Sequence, residues 1–140
     1  MTVLTPRPTA APATDAPTAV LRPGAVLHSV RSAAAAVWRL SPGRYLAIPD
    51  GDEVIVARLG LLTRIGRRPG ADVVLDDTTV SRRHALVMER DGESIIADDR
   101  SRNGLFVNGR RVLQAPLHNG DEIQLGALVM RFMEVLPQPR

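Results

Sequence analysis

The hydrophobic pattern of the chain changes near residue 43, and the change separates two kinds of predicted element. Over residues 25–40 apolar side chains recur every three or four positions, at Val26, Leu27, Val30, Ala33, Ala34, Val37 and Trp38. That spacing predicts an amphipathic helix. Ser41-Pro42-Gly43 ends it, because proline cannot continue a helix and glycine suits the exit.

Beyond residue 43 apolar and polar residues tend to alternate, and turn signals come about every eight to twelve residues. Short strands are predicted at 45–48, 54–58, 61–65, 73–75, 85–89, 94–98, 105–107, 111–113, 122–125 and 128–135. Asp91-Gly92 and Asn108-Gly109 indicate type I′ hairpin turns, since both central positions of such a turn need a positive φ. Short strands without helices between them predict an all-β, antiparallel sandwich or barrel.

Residues 1–24 are rich in proline, alanine and threonine and contain almost nothing that could pack, so they are predicted to be a disordered tail. The predicted organisation is therefore a tail over 1–24, an amphipathic helix and linker over 25–42, a β-domain over 43–136 and a short C-terminal tail over 137–140. A domain of about 90–100 residues can bury a modest core.

The composition of the chain argues against several classes of function. The 140 residues include no cysteine, which excludes disulfides and thiol nucleophiles. The 18 basic residues are all arginine, and the net charge of +3 with few aromatic residues is weak support for nucleic-acid binding. No apolar run approaches the roughly 18 residues of a membrane span, and no signal peptide is evident, so a cytoplasmic protein is expected. The aspartates lack the pattern of a calcium loop, and no metal or cofactor is expected.

Three turn-like clusters carry groups that bind anions. They are Gly66-Arg67-Arg68, Ser81-Arg82-Arg83-His84 and Ser101-Arg102-Asn103-Gly104. Guanidinium groups, hydroxyls, an amide and backbone N–H groups all donate hydrogen bonds. Because strands separate the clusters, the three loops could meet at one end of a β-fold, and a site with this chemistry should hold a phosphate.

The motifs together resemble a forkhead-associated (FHA) domain of the bacterial type, over roughly residues 45–135. The resemblance rests on Ile65-Gly66-Arg67, residues 72–76, Ser81-Arg82-Arg83-His84, Asp98 with Ser101-Arg102-Asn103-Gly104, Val107-Asn108-Gly109 and Gly120-Asp121-Glu122-Ile123. It implies a sandwich of about eleven short strands that binds phosphothreonine peptides through loops at one end. It also implies a non-catalytic role in Ser/Thr kinase signalling, with a phosphothreonine-containing protein, a kinase or its substrates as partner.

The resemblance assigns the site residues. Arg67 matches the phosphate-binding arginine, Ser81 the hydroxyl donor, and Arg82 adds a backbone N–H and a second charge. Asn103 matches the asparagine that binds the peptide main chain. Arg102 stands where many members carry serine or threonine, so contact with phosphate and simple solvent exposure are both open. Structural support is expected from Gly66, which would allow a sharp turn, and from His84, Gly104, Asn108 and Gly109. Leu105 departs from the family's usual threonine.

The sequence leaves three other functions open. A phosphorylated threonine of the chain's own tail, Thr18 or otherwise Thr14, would occupy the site in a self-regulated adaptor; the simpler interpretation of these threonines is low-complexity filler. Ser81, His84 and Asp98 resemble a hydrolase triad in composition, although no strand–turn–helix elbow surrounds the serine. The arginine-rich surface leaves diffuse nucleic-acid binding as a third class.

Overall fold

The computed structural model describes residues 19–21, 27–30, 40–50 and 53–137. Within these ranges there are thirteen β-strands and no helix. The strands are β1 (Ala19–Leu21), β2 (Leu27–Val30), β3 (Gly43–Asp50), β4 (Glu53–Arg58), β5 (Leu62–Gly66), β6 (Val73–Leu75), β7 (Ala85–Arg90), β8 (Glu93–Asp98), β9 (Leu105–Val107), β10 (Arg110–Val112), β11 (Gln114–Leu117), β12 (Glu122–Leu125) and β13 (Leu128–Val135).

The strands form two sheets that pack face to face. Sheet I has the order β1-β6-β5-β7-β8-β11, and sheet II has the order β10-β9-β12-β13-β3-β4-β2. Within sheet I, β5 and β6 run parallel, while β7 is antiparallel to both of its neighbours. The predicted antiparallel sandwich is therefore confirmed, with one parallel pair that the hydrophobic pattern did not indicate.

The core lies between the sheets and is built from the inward positions of each strand. In β6 the first and third residues are buried, and in β12 the second and fourth are buried, as the two-residue period of a strand requires. Ile65, Val87 and Ile96 of sheet I pack in one cluster with Ile123 and Phe132 of sheet II, each no more than 1% exposed. Burial of a large apolar side chain stabilises by roughly 1.5–3 kcal/mol. This core fixes the two sheets and hence the loops that connect them.

Two predicted hairpin turns have the backbone that their sequences require. Asp91 and Gly92 have φ of 53° and 80°, and Asn108 and Gly109 have φ of 52° and 82°. Both residues of each pair are left-handed, as in a type I′ turn. The β7–β8 and β9–β10 hairpins are thus determined locally.

The structure corrects the predicted N-terminal elements. The helix prediction over residues 25–40 is wrong at Leu27–Val30, which forms β2 and pairs antiparallel with β4. The disorder prediction is wrong at Ala19–Leu21, which forms β1 and pairs with β6. An isolated helix of this length is marginal in water, so the hydrogen bonds offered by an open sheet edge can override helical spacing. The rest of both predicted segments lies outside the described residues.

Strand β11 was missed because its sequence, Gln-Ala-Pro-Leu, contains a proline. It is the last strand of sheet I and pairs with β8 alone, with Pro116 opposite Ile95. An edge strand tolerates proline because its outer side needs no donor. The ten predicted strands all occur, with ends that differ by at most two residues.

Candidate functional site

Three loops meet at one end of the sandwich. We call residues 67–72, between β5 and β6, the first loop; residues 76–84, between β6 and β7, the second loop; and residues 99–104, between β8 and β9, the third loop. Strand β5 runs towards this end, β7 starts from it and β8 returns to it, with Ala85 opposite both Ile65 and Asp98. The sheet register therefore brings three sequence-distant loops together.

Hydrogen bonds tie the first loop to the second. The Arg67 N–H donates to the Ser81 carbonyl at 2.9 Å, and the Arg67 Nε donates to the Val80 carbonyl at 2.9 Å. One residue further on, the Arg68 N–H donates to the Arg82 carbonyl at 3.2 Å. The Arg67 side chain is exposed, and its two terminal nitrogens have no partner among the described residues. The backbone hydrogen bonds fix the position of the Arg67 main chain, and the Nε hydrogen bond orients its guanidinium group.

The third loop also bonds to the second. The Arg102 N–H donates to Ser81 Oγ at 2.8 Å, and Asn103 Nδ2 donates to the Thr79 carbonyl at 2.8 Å. Since Ser81 Oγ accepts one bond there, its own hydrogen stays available as a donor. The structure thus brings the predicted residues Arg67, Ser81 and Asn103 together around residues 79–81.

Arg82 and Arg102 lie beside this group with exposed side chains. Neither guanidinium has a hydrogen bond or ion pair within the described part of the chain, and the Arg82 N–H is likewise not engaged there. Arg102 contributes its backbone to Ser81 while its charge faces solvent. These donors surround Ser81 without being used by the fold.

His84 supports the second loop from inside. Its side chain is fully buried; the Ser81 N–H donates to Nδ1 at 3.0 Å, and Nε2 lies 2.8 Å from the Gly104 carbonyl. A carbonyl can only accept, so the hydrogen is on Nε2 and the ring is the neutral tautomer. Burial lowers the pKa of His84 below its usual 6.5, while the Gly104 carbonyl and the charge of Asp98 act in the opposite direction.

The hydrolase arrangement is not present in this geometry. Both ring nitrogens of His84 bond to backbone groups, and Ser81 Oγ bonds to the Arg102 N–H. Asp98 accepts from the hydroxyl and the N–H of Ser101, not from the histidine ring. A triad needs the hydroxyl on one ring nitrogen and the carboxylate on the other. The three residues serve instead as separate supports for the loops.

Gly66 is needed for space. A Cβ at this position would lie 2.0 Å from the carbonyl oxygen of Arg82, and Gly66 is not among the glycines with positive φ. The expected sharp turn is therefore not its reason. The first and second loops pass so closely here that a side chain cannot fit between their backbones.

Gly104 does have a left-handed backbone, with φ of 89°, and a Cβ there would lie 2.7 Å from Nε of Arg111. Its N–H donates to Ser101 Oγ at 2.9 Å.

Asn108 and Gly109 form the turn that follows β9. Asn108 accepts from the Glu122 N–H at 2.9 Å and donates to Asp121 at 3.0 Å. It supports sheet II away from the three loops.

Sequence reasoning missed Thr79, which links the site to sheet II. Its hydroxyl donates to Asp77 Oδ1 at 2.5 Å and accepts from the Ala127 N–H at 2.7 Å, while its carbonyl accepts from Asn103. Asp77 also accepts from the Thr79 N–H at 2.8 Å, a local turn that the Asp-x-Thr spelling could have indicated. The contact with the β12–β13 turn has no local signal.

The described residues contain no group of three or more histidine, aspartate or glutamate side chains placed to bind a metal ion. They also contain no helix long and apolar enough to cross a bilayer.

Comparison with known proteins agrees with this geometry. A family model described as the FHA domain matches residues 63–126, which include all three loops. A protein of Mycolicibacterium smegmatis named glycogen accumulation regulator GarA is 40% identical over 97 residues, 61% of this chain and 61% of that protein. The chain thus matches about three fifths of the length of that relative.

Two further similarities are broader in coverage. A protein of Corynebacterium jeikeium named oxoglutarate dehydrogenase inhibitor is 36% identical over 104 residues, 66% of this chain and 72% of that protein. A solved FHA domain, from work on phosphothreonine-dependent FHA domain interactions, superposes with a TM-score of 0.60 at 31% identity, covering 69% of this chain and 98% of that structure. Fold, loop geometry and sequence agree, and the chain belongs to the forkhead-associated (FHA) domain family.

Proposed function

We propose that this chain is a phosphothreonine-dependent protein-binding module in Ser/Thr kinase signalling and that it performs no catalysis. The single observation that carries the proposal is the meeting of Arg67, Ser81 and Asn103 around residues 79–81. The partner would be a phosphothreonine-containing protein, either a Ser/Thr kinase or one of its substrates. The names of the relatives, a regulator and an enzyme inhibitor, support a role exerted by binding.

The available donors suit a phosphate dianion. Arg67 keeps two terminal nitrogens, Ser81 keeps its hydroxyl hydrogen, and Arg82 offers an N–H and a charge. A phosphate carries about −1.5 to −2 charges and strong acceptor oxygens, and a guanidinium can donate two parallel bonds to it. Arg102 is an additional phosphate ligand in this proposal. Asn103, exposed and with its Oδ1 unused by the described residues, would bind the peptide main chain.

The domain that does this comprises residues 43–136, with residues 1–24 as a tail that contributes β1, 25–42 as a linking segment that contributes β2, and 137–140 as a C-terminal tail. This division rests on the continuity of β3 to β13 in the two sheets.

The proposal is tested with a degenerate phosphothreonine-peptide library and the variant Arg67→Ala. Wild type should select phosphorylated peptides, and Arg67→Ala should weaken binding by at least about tenfold, since a charge-assisted hydrogen bond contributes about 1.5–3 kcal/mol. Arg90→Ala is the matched control, because Arg90 is an exposed arginine at the opposite end of β7. Equal binding of phosphorylated and unphosphorylated peptides, or undiminished binding by Arg67→Ala, would contradict the proposal.

A second candidate is self-regulation by the phosphorylated tail, and the pairing of β1 favours it. Ala19 lies opposite Leu75, and Val74 lies opposite Gly66, so β1 begins at the end of sheet I where the first loop starts. Two strand spacings of about 4.8 Å put Ala19 roughly 10 Å from that loop. Thr18 and Thr14 lie outside the described residues, one and five positions before Ala19 in the sequence. A phosphate on either would act at a high effective concentration.

This candidate is tested by semisynthesis of the chain with phosphothreonine at position 18 or 14. Binding of an external phosphothreonine peptide should weaken at least about tenfold relative to the unphosphorylated chain, because a tethered ligand competes at an effective millimolar concentration. Restored binding in a chain that starts at residue 22 would support competition by the tail. Unchanged affinity after phosphorylation at both positions would exclude it.

A further inference from the structure

The outer surface of sheet I and the adjoining parts of the three loops line a cavity of about 370 Å³. Its lining includes Arg64, Arg68, Arg82, Arg83, Asp99 and Leu62. We call it the arginine cavity. Its volume lies in the range of pockets that bind small groups or side chains.

The cavity adjoins the three-loop site and shares Arg82 with it, but Arg67, Ser81 and Asn103 do not line it. Arg67 directs its Nε to the Val80 carbonyl, on the side of the second loop. Arg68 directs its guanidinium over Gly70, where a Cβ would lie 3.3 Å from its Nε. Arg64 lies on the outward-facing side of β5, one strand position before the buried Ile65. Arg64 and Arg68 therefore line the arginine cavity, while Arg67, between them in the sequence, contributes to the three-loop site.

Charge in the cavity is only partly balanced within the described residues. Arg83 pairs with Asp99 through two contacts of 3.1 and 3.2 Å, and Arg64 lies 4.0 Å from Asp72. Arg68 and Arg82 have no carboxylate partner there. Four guanidinium groups thus share two carboxylates, which leaves a local excess of positive charge that favours an anion. At the other end of β5, Leu62 is 43% exposed and gives the surface an apolar part.

We propose that the arginine cavity binds a second anionic group, a carboxylate side chain or a second phosphate, on the same phosphoprotein whose phosphothreonine occupies the three-loop site. The inference rests on the proposed function, and it adds to it a class of partner with acidic residues near the phosphothreonine. Arg68 makes the main contact and Arg64 supports it, while Leu62 accommodates an adjacent aliphatic residue. Planar guanidinium forks suit both carboxylate and phosphate.

The test is a titration of four peptides against wild type and the double variant Arg64→Gln/Arg68→Gln. One peptide has neutral flanks around the phosphothreonine, and the others add three glutamates, three glutamines or a second phosphothreonine. The additions are placed on either side at about two to five residues, since an extended residue spans about 3.3 Å. Arg90→Gln is the matched control, an exposed arginine at the far end of the same sheet.

Wild type and Arg90→Gln should bind one of the anionic peptides about tenfold more tightly than the glutamine peptide, as for a charge-assisted hydrogen bond. The double variant should lose that gain and keep its affinity for the neutral peptide within about twofold. A larger gain from glutamates identifies carboxylate as the ligand, and a larger gain from the second phosphothreonine identifies phosphate.

No gain in wild type with any anionic peptide, or the same gain in the double variant, would overturn the cavity proposal. An equal loss in Arg90→Gln would also overturn it, because the effect would then come from the overall charge. Failure of the proposed function is separate: it appears as absent or Arg67-independent binding of the neutral phosphothreonine peptide. Thermal unfolding of each variant verifies that it is folded.

Discussion

At Gly66, the last residue of β5, the main chain is in direct contact with the second loop, and this contact sets the position of Arg67. The Arg67 and Arg68 N–H groups donate to carbonyls of residues 81 and 82, and any Cβ at Gly66 would lie 2.0 Å from the Arg82 carbonyl oxygen. Because the obstacle is backbone, no rotamer change can relieve it.

Gly66→Ala should therefore destabilise the fold by about 1–3 kcal/mol, as overpacking does, and weaken phosphopeptide binding through displacement of Arg67. Gly60→Ala is the matched control. Nothing lies within 4 Å of a Cβ at Gly60, and its φ is not left-handed, so this change should be neutral or slightly stabilising. Denaturant unfolding and a peptide titration measure both effects. Equal stability of the two variants would show that the loops can separate without cost.

His84, which bonds to the second and third loops, should make the free energy of unfolding depend on pH. Burial lowers the pKa of His84 below 6.5, so the unfolded chain takes up the proton more readily than the folded chain. The free energy of unfolding should be constant above about pH 6.5 and should fall as the pH decreases through that value, by at most about 1.4 kcal/mol per pH unit. Denaturant titrations between about pH 7.5 and 5.5 measure this fall.

His84→Gln should be less stable at pH 7.5 by about 1–3 kcal/mol, because it disturbs both hydrogen bonds of the buried ring, and its stability should vary less with pH. His118→Gln removes an exposed histidine, with a side chain 73% accessible, and should leave the stability at pH 7.5 nearly unchanged. If the His84→Gln and wild-type curves run parallel, the pH dependence has another source.

At the scale of elements, local chemistry determined some strands and pairing determined others. The Asp91-Gly92 and Asn108-Gly109 turns and the alternating residues beside them were sufficient to predict four strands, because a type I′ turn fixes both strand direction and register. Strands β2 and β11 were not predictable in this way. Leu27–Val30 has helical spacing in its sequence context, and β11 contains Pro116, yet each lies at the edge of a sheet and pairs with a single strand.

At the scale of the whole molecule, the two packed sheets bring residues that are far apart in the sequence close together in space. Arg67 and Asn103 belong to loops on either side of β6, β7 and β8, and both bond to the segment 79–81. Asn103 also depends on Thr79, which the β12–β13 turn holds through the Ala127 N–H. A Cβ at Gly126 would lie 2.3 Å from the Thr79 carbonyl oxygen, so sheet II contacts the base of the site directly.

The sequence by itself determined the fold class, most strands and the residue types of the candidate phosphate site. Alternation, hairpin turns and the spelling of three loops are local properties, and they identified Arg67, Ser81 and Asn103 as candidates. Only the tertiary structure decided that Gly66 is required for space, that Thr79 links the sheets, and that Arg68 lines the arginine cavity. The reason is physical: a close approach, a hydrogen bond between distant segments and a shared cavity all depend on which strands pair, and pairing depends on the packing of the whole core.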